Sequence, residues 1–297
     1  MEVFRHFESQ KNPCVMTIGN YDGIHLGHQS LIDQVIELSK NKGMQSAVMT
    51  FEPHPREFFQ PNEAPSRIIS LREKLEFFES KGIDHVHVIR FDELFANLTA
   101  GDFLKIIKEN LHVKLLVLGE DFRFGKNRVG SLNDFIEAGI KVTVATEIQL
   151  GNSRVSSTRV REALSKANFN EVQALLGRPF VISGKVTHGD KRGREIGFPT
   201  ANIHMFHERP PLRGVFAVKL DNFNGIANLG TRPTIGGAEK LNLEVHIFNF
   251  SKDIYGKHVH VTFLQKIRDE KKFKTIDELR QQIILDVDKA ESFFKHE

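Results

Sequence analysis

The stretch that decides the fold of the N-terminal half of this chain is Thr17-Ile18-Gly19-Asn20-Tyr21-Asp22-Gly23-Ile24-His25-Leu26-Gly27-His28. It follows an apolar run, Cys14 to Ile18, that predicts a buried strand. It precedes an amphipathic run, Leu31 to Lys40, that predicts a helix. A glycine-rich turn between a strand and a helix brings backbone amides and the positive end of the helix dipole to one place. The stretch therefore predicts an α/β domain that binds phosphate at a strand end.

Two features of this turn indicate its chemistry. Gly19, Gly23 and Gly27 allow the backbone to approach a ligand closely. His25 and His28 are three residues apart, so both imidazoles face the same way on a helical turn. Two histidines placed in this way can donate hydrogen bonds to the charge that develops on a triphosphate during group transfer.

Other chemistries fit the turn less well. A zinc centre needs three or four ligands, and although His54, His85 and His87 are available, no cysteine cluster supports them. The dinucleotide pattern G-x-G-x-x-G is absent. Gly119 to Lys126 has some likeness to a P-loop, but its spacing is one residue too long and Asn127 replaces the Ser or Thr that a P-loop requires.

The rest of the chain divides into two patterns. Strand-like and helix-like runs alternate through the first half, which predicts a doubly wound, Rossmann-like parallel sheet with helices on both faces. Near Gly177-Arg178-Pro179 the helical period disappears. Short strand-like runs punctuated by Gly and Pro follow, and these predict a sandwich or small barrel with one closing helix at about residues 276–293. We predict two domains, residues 1–178 and 179–297.

Composition excludes several classes of protein. The formal net charge of +3 on 297 residues is too small for a chain whose main partner is nucleic acid. No stretch approaches the ~18 consecutive apolar residues of a membrane span, and Met1 to Gln10 does not resemble a secretory signal. The single cysteine, Cys14, suits a reducing compartment, so we expect a cytoplasmic protein.

Two further elements lie at predicted strand ends of the first half. Thr50-Phe51-Glu52-Pro53-His54-Pro55 ends the second strand, and Ser156-Ser157-Thr158-Arg159-Val160-Arg161 begins a helix. Taken singly, they are compatible with a proline-punctuated turn and with an ordinary N-cap followed by surface arginines. Together with the histidine turn they form three such elements at predicted strand ends, and this combination is far more specific than any one of them.

The second half has a glycine-rich loop followed by oxygen-bearing side chains. Gly193-Arg194-Glu195-Ile196-Gly197-Phe198-Pro199-Thr200-Ala201-Asn202 places Thr200 and Asn202 on one side of an extended strand, where their oxygens suit Mg²⁺. Glu244 alternates with apolar residues on a later strand, and a carboxylate in a barrel mouth can accept a proton from a hydroxyl. The alternative for the glycine-rich segment is a hairpin loop with solvated charges. The alternative for Glu244 is an exposed glutamate on the polar face of a strand.

The elements of the first half together resemble the FMN adenylyltransferase module of the bacterial bifunctional riboflavin kinase/FAD synthetase family, within the H-x-G-H nucleotidyltransferases. Gly119-Glu120-Asp121-Phe122-Arg123-Phe124-Gly125 also resembles that family's sequence, and Tyr21 stands where the family usually has Phe. The resemblance implies that His25, His28 and Arg161 act on the ATP phosphates. It implies that the remaining ATP and flavin contacts come from Gly19, Asp22, Gly23, Gly27, Phe51, Pro53, His54, Asp121, Phe122, Arg123, Phe124, Ser157 and Thr158.

The second half resembles the riboflavin kinase module of the same family, a six-stranded barrel, most specifically in Phe198-Pro199-Thr200-Ala201-Asn202. The resemblance implies that Thr200 and Asn202 hold Mg²⁺ and ATP phosphate and that Glu244 is the base on the ribityl 5′-hydroxyl. It implies further ligand contacts from Gly189, Gly193, Arg194, Phe198, Pro199 and Arg268. The chain departs from the family at Phe216 and Asn249, where Tyr and Asp are usual, and in a short hairpin at Lys219 to Gly225.

The resemblance implies phosphorylation of riboflavin by the C-terminal domain and adenylylation of FMN by the N-terminal domain, with ATP, Mg²⁺ and flavins as the small-molecule partners. Three alternatives stay open at this point. In the first, the barrel is a flavin-binding module without kinase activity. In the second, the whole chain is a non-catalytic flavin sensor. In the third, the chain is a nucleotidyltransferase relative that acts on another substrate. The motifs of the second half disfavour the last of these, and turnover separates the first two.

Overall fold

A computed structural model describes residues 1–189, 193, 197–205, 210–233 and 239–296, and of residues 231–233, 239 and 240 it describes the backbone alone. The chain divides into two compact units, Met1–Pro65 with Leu71–Ser156, and Ser66–Ser70 with Ser157–Glu297. No helix in the described ranges has both the length and the apolar character needed to cross a membrane.

The first unit is built on a parallel six-stranded sheet. Its strands are β1 (Glu2–Phe4), β2 (Cys14–Ile18), β3 (Gln45–Glu52), β4 (His85–Arg90), β5 (Val113–Leu118) and β6 (Lys141–Val144). The spatial order is β1-β4-β3-β2-β5-β6, so the central strand β2 lies between β3 and β5. Two short strands, β7 (Gln149–Leu150) and β8 (Ser153–Arg154), form a separate hairpin. The predicted parallel α/β sheet is confirmed.

Helices connect these strands. They are α1 (Leu26–Lys42), α2 (Pro55–Phe59), α3 (Leu71–Ser80), α4 (Glu93–Ala96), α5 (Ala100–Lys105), which continues as a π-helical turn at Ile106–Asn110, and α6 (Leu132–Glu137), with a 3₁₀ turn at Lys126–Arg128. Helix α1 begins five residues before its predicted start, because the His25 side chain caps it and the first turn carries no apolar period. One core cluster joins sheet residues such as Met16 and Met49 to Phe103 and Phe135.

The second unit is a closed antiparallel barrel, to which the described residues add the helices α7, α8 and α9. Its elements are α7 (Ser157–Ser165), α8 (Phe169–Leu176), β9 (Phe180–Thr187), β10 (Ala201–Met205), β11 (Gly214–Leu220), β12 (Phe223–Pro233), β13 (Glu239–Ile247), β14 (His258–Arg268) and α9 (Ile276–His296). Around the barrel the order is β9-β10-β13-β12-β11-β14. The predicted six-stranded barrel with a C-terminal helix is confirmed.

Packing explains why α7 and α8 group with the barrel. Helix α8 lies against β9 and β14, and the ring of Phe169 meets Phe216 edge-on at 6.0 Å. Helix α9 covers another part of the barrel, where Ala290 packs with Val215 and Ala217. The compact units therefore divide at Ser157, whereas the sequence places the domain boundary after residue 178. That boundary stays a prediction, since a compact unit need not coincide with an independently folding domain.

Candidate functional sites

The histidine turn of the first unit leaves the carboxyl end of β2, where the chain order reverses between β3 and β5. Ligands of open α/β sheets bind at this topological switch point. His25 is the N-cap of α1, and its Nδ1 accepts a hydrogen bond of 3.4 Å from the backbone amide of His28. The two imidazole rings stack with their centroids 3.7 Å apart. The structure thus brings the two predicted histidines face to face.

The surroundings of His28 favour a neutral imidazole. Burial lowers the pKa of His28 well below its usual value, and the nearby positive charges of His25, Lys74 and Arg154 lower it further. Among the described residues, the buried Nδ1 of His28 and the buried Oδ1 of Asn20 lack a hydrogen-bond partner. Buried polar atoms are nearly always bonded, so these two atoms are compatible with the ligand contacts predicted for this turn.

Close packing explains two of the three glycines in the turn. A Cβ at Gly19 would lie 3.2 Å from ring carbons of Tyr21, and a Cβ at Gly27 would lie 3.3 Å from the imidazole of His25. Tyr21 is fully buried, and its hydroxyl is 2.7 Å from Oγ1 of Thr17. The third, Gly23, has a φ of 88°, which glycine adopts without strain. Asp22, also in this turn, is buried.

Two cationic residues near His28 were missed by sequence reasoning. Lys74 on α3 is only 2% exposed, and its charge acts on His28. Arg154 on β8 bonds Asp121 at 3.1 Å and Glu147 at 2.6 Å, which shows where the predicted site residue Asp121 points. The run Leu71-Arg72-Glu73-Lys74 resembles a solvated helix start, so the sequence carries no signal that Lys74 is buried.

The loop after β3 is held by local capping. The Glu52–Pro53 peptide is cis, and His54 is the N-cap of α2, where its Nδ1 accepts from the amide of Arg56 at 3.1 Å. Phe51 lies at the end of β3 and meets Phe91 edge-on at 6.0 Å. The ligand contacts predicted for Phe51, Pro53 and His54 stay predictions.

Part of the segment after β5 belongs to the hydrophobic core of the first unit. Phe124 is buried, with its ring 4.3 Å from that of Phe135, and Phe122 stacks on Phe124 at 6.2 Å. Arg123 is exposed and donates to the carbonyl of Phe122. Phe124 therefore has a packing role whether or not it touches a ligand, and the ligand contacts of all three residues stay predictions.

Three predicted phosphate residues lie on α7 in the second unit. Ser157 and Thr158 form the first turn, and Thr158 is exposed. Nε of Arg161 donates to the carbonyl of Ser66 at 2.6 Å, which ties α7 to the segment Ser66–Ser70. The expectation that these residues close over ATP stays a prediction.

The barrel brings Glu244 and Asn202 together. They are directly opposite each other in the β10–β13 pair, so their side chains share one face. Asn242 donates to Oε1 of Glu244 at 2.8 Å. The neighbours Leu243 and Val245 are fully buried, so alternation puts Glu244 on the outer face of the barrel. The carboxylate thus lies on the polar face of β13, and the role predicted for it as a base stays a prediction.

The segment before β10 lies over this outer face. The carbonyl of Pro199 is 2.8 Å from Nδ1 of His246, and the ring of Phe198 meets His246 edge-on at 5.4 Å. A Cβ at Gly189 would overlap the side chain of Asn202, and one at Gly193 would lie 3.3 Å from Oγ1 of Thr200. Gly189 and Gly193 thus pack directly against the two predicted Mg²⁺ ligands. Arg194 lies outside the described residues.

Arg268 has a structural anchor. Its Nε donates to Oδ2 of Asp286 on α9 at 2.8 Å, and Asp286 is 2% exposed. The guanidinium also lies 5.7 Å from the ring centroid of Phe273. These contacts fix Arg268 between β14 and α9, and its predicted contact with a ligand stays a prediction.

The donor set of the barrel site fits magnesium. Thr200 offers a hydroxyl oxygen, Asn202 an amide oxygen and Glu244 a carboxylate, and Mg²⁺ prefers such hard oxygen ligands while keeping several waters. The register of β10 against β13 places two of these three side chains on one face.

Comparison with known proteins connects both sites to one family. The FAD synthetase family profile matches residues 7–159, and the riboflavin kinase family profile matches residues 176–294. The bifunctional riboflavin kinase/FMN adenylyltransferase of Escherichia coli (strain K12) is 42% identical over 97% of this chain and 95% of its own length. Its counterparts in Haemophilus influenzae and Pseudomonas fluorescens are 43% and 41% identical over 95% and 92% of this chain, and 94% and 91% of theirs.

A crystal structure described as a macrolide-efflux protein from Streptococcus pneumoniae is similar along the whole chain. It has a TM-score of 0.78 and 30% identity, and the match covers 96% of each chain. The identity and coverage of the bacterial relatives, with a family profile on each half, show that the chain belongs to the bifunctional riboflavin kinase/FMN adenylyltransferase family.

Proposed function

We propose that this chain makes FAD in two ATP-dependent steps, phosphorylating riboflavin in the barrel and adenylylating FMN at the histidine turn. The observation that supports the proposal is that each family profile falls on a fold that groups residues predicted to handle phosphate. The first unit has the stacked pair His25 and His28, and the second has Glu244 opposite Asn202. ATP, riboflavin, FMN and FAD are its small-molecule partners, and we place the reaction in the cytoplasm.

In the kinase step, Glu244 accepts the proton of the ribityl 5′-hydroxyl as that oxygen attacks the γ-phosphorus of ATP. The bond from this phosphorus to the β,γ-bridging oxygen breaks, and ADP leaves. The hydrogen bond from Asn242 orients the carboxylate of Glu244 on the face that it shares with Asn202. Thr200 and Asn202 would hold Mg²⁺, which when bound neutralises phosphate charge. The hydrogen bond between the carbonyl of Pro199 and Nδ1 of His246 holds the segment before β10 over this face of the barrel.

In the adenylyl step, a phosphate oxygen of FMN attacks the α-phosphorus of ATP and pyrophosphate leaves. The reaction needs no protein nucleophile, so catalysis consists of positioning and of charge stabilisation. The neutral His28 can donate one ring N–H to a phosphate oxygen. Backbone amides at the start of α1 add further donors, and the helix dipole favours the anion.

The first experiment separates the flavins formed by the wild-type chain from MgATP with riboflavin or with FMN. FAD from both substrates, with FMN as an intermediate from riboflavin, supports the two-step function. FAD from FMN alone would leave a barrel without kinase activity, and a chain that binds flavin without turnover would be a sensor.

A pair of matched variants then assigns the sites. His28→Ala is expected to lower FAD formation from FMN by about 10²–10³-fold, the cost of one lost charge-stabilising donor, and to spare FMN formation from riboflavin. Glu244→Gln is expected to do the reverse. Each variant controls for the other, and a folded variant that loses both activities would contradict the two-site assignment.

A further inference from the structure

His246 lies on the same face of the barrel as the predicted base. The residues on either side of it in β13 are buried, so alternation along the strand puts His246 on the outer face together with Glu244. Asn202 of β10 is opposite Glu244, and continuing this register by one residue puts Thr200 opposite His246. His246 is thus beside the side chains predicted to hold Mg²⁺ and phosphate, although neither proton transfer nor phosphoryl transfer in the kinase step requires it.

Three contacts fix the imidazole of His246. Its Nδ1 is 2.8 Å from the carbonyl oxygen of Pro199. The rings of Phe198 and Phe248 meet it edge-on, with centroids 5.4 and 5.9 Å away. A carbonyl oxygen only accepts hydrogen bonds, so Nδ1 carries the hydrogen in this contact and donates it. The geometry therefore determines which ring nitrogen of His246 is the donor.

The bond to Pro199 acts on the residue that follows it. The carbonyl group of Pro199 and the amide nitrogen of Thr200 belong to one planar peptide. Fixing the carbonyl oxygen therefore fixes the orientation of the peptide from which Thr200 continues. Proline has no N–H, so the carbonyl is the backbone group by which Pro199 can be held. Thr200 also packs against Gly193, where a Cβ would lie 3.3 Å from the threonine Oγ1.

We propose that His246 is a positioning residue of the kinase site, whose hydrogen bond to Pro199 holds the Thr200 hydroxyl beside Asn202 to receive Mg²⁺ and phosphate. The inference rests on the function proposed above for the barrel. Mg²⁺ demands near-octahedral geometry, so a small displacement of one oxygen ligand weakens its binding. A residue that acts through Thr200 should therefore affect the binding of the magnesium nucleotide and leave riboflavin binding unchanged.

Two substitutions separate the hydrogen bond from the bulk of the ring. His246→Leu removes the donor, whereas in His246→Asn the amide nitrogen can take the place of Nδ1. We expect His246→Leu to weaken MgADP binding about fivefold, which corresponds to about 1 kcal/mol, the usual net contribution of one hydrogen bond. His246→Asn is expected to bind MgADP within about twofold of the wild-type chain.

Calorimetric titration of the full chain with MgADP measures this binding without turnover. The nucleotide site proposed for the first unit contributes equally to the wild-type chain and the variants. Steady-state kinetics of FMN formation supply a second readout. In His246→Leu the KM for MgATP should rise and the KM for riboflavin should stay unchanged. FAD formation from FMN, which we assign to the first unit, should also be unchanged.

A matched control lies at the end of α9. Nδ1 of His296 is also 2.8 Å from a backbone carbonyl oxygen, that of Ser292, and His296 is exposed. His296→Leu removes the same kind of contact from another element of the same unit. It is expected to leave MgADP binding and both KM values unchanged.

Equal weakening of MgADP binding in His246→Leu and His246→Asn would overturn the proposal, and so would unchanged binding in His246→Leu. A parallel rise in the KM for riboflavin would make His246 a general structural residue. If His246→Leu does not fold, His246→Gln replaces it, because a glutamine amide reaches the position of Nε2 and not that of Nδ1. It must then weaken MgADP binding where His246→Asn does not, or the proposal fails. A wild-type chain that binds MgADP but forms no FMN from riboflavin would instead refute the function proposed for the barrel.

Discussion

We predict that the buried His87 makes the stability of the first unit depend on pH. It lies on β4, is 1% exposed, and stacks on Phe4 with ring centroids 5.0 Å apart. Among the residues that the structure describes, its buried Nδ1 has no hydrogen-bond partner. Burial, and to a lesser extent the charge of His85, lower the pKa of His87 to about 4. An unfolded histidine has a pKa near about 6.5.

The direction in which the unfolding free energy changes with pH follows from proton binding. Because the folded pKa is the lower one, the unfolded chain binds more protons between the two values. The stability contributed by neutral His87 is complete above the unfolded pKa and is lost as the pH falls toward the folded pKa. Linkage between the two values gives a loss of about 1.8 kcal/mol on going from pH 7 to pH 5. His87→Phe keeps an aromatic ring against Phe4 and is expected to abolish this part of the pH dependence.

The assay uses the scarcity of tyrosine and tryptophan. The chain has two tyrosines and no tryptophan, so in a Tyr255→Phe background the near-ultraviolet tyrosine signal comes from Tyr21 alone and follows unfolding of the first unit. Urea unfolding at pH 7 and pH 5 is compared with and without His87→Phe, and His6→Leu serves as the control at an exposed histidine. Equal losses of unfolding free energy in the parent and in His87→Phe would refute the reasoning.

Three further predictions follow from packing and charge. Gly125→Ala is expected to cost at least about 2 kcal/mol, because φ there is 72° and a Cβ would lie 2.8 Å from backbone atoms of Ala100. Gly139→Ala, with a φ of 82° and no atom nearer than 3.9 Å, should cost only about 1 kcal/mol in the same urea assay. Asp286→Ala is expected to destabilise the barrel by about 2 kcal/mol, since it removes the partner of Arg268. An unchanged thermal midpoint would show that the pair contributes nothing. Single-turnover FAD formation should stay level as the pH falls from 7 to 6.5 and decline only at more acid pH, because the lowered pKa keeps His28 neutral. A decline as the pH rises through that range would mean that the charged form is active.

The sequence by itself determined the two fold classes and both glycine-rich loops. Strand β2 and helix α9 were recognisable because hydrophobic period is a local property that burial imposes on neighbouring residues. Short elements such as α2 and α4 were not predicted, because four or five residues are too few to show a period. Proline and glycine marked the change from alternating α/β to barrel, since both act on the backbone at their own position.

The tertiary structure alone decided which side chains meet. The register of β10 against β13 places Asn202 opposite Glu244, and a slip of one residue would put them on opposite faces. The stacking of His25 on His28 depends on an N-cap conformation that spacing does not reveal. The burial of Lys74 depends on α3 packing onto the turn through Phe78 and Tyr21, residues distant from each other in the chain. Contacts of this kind come from non-local packing, which a local sequence pattern does not encode.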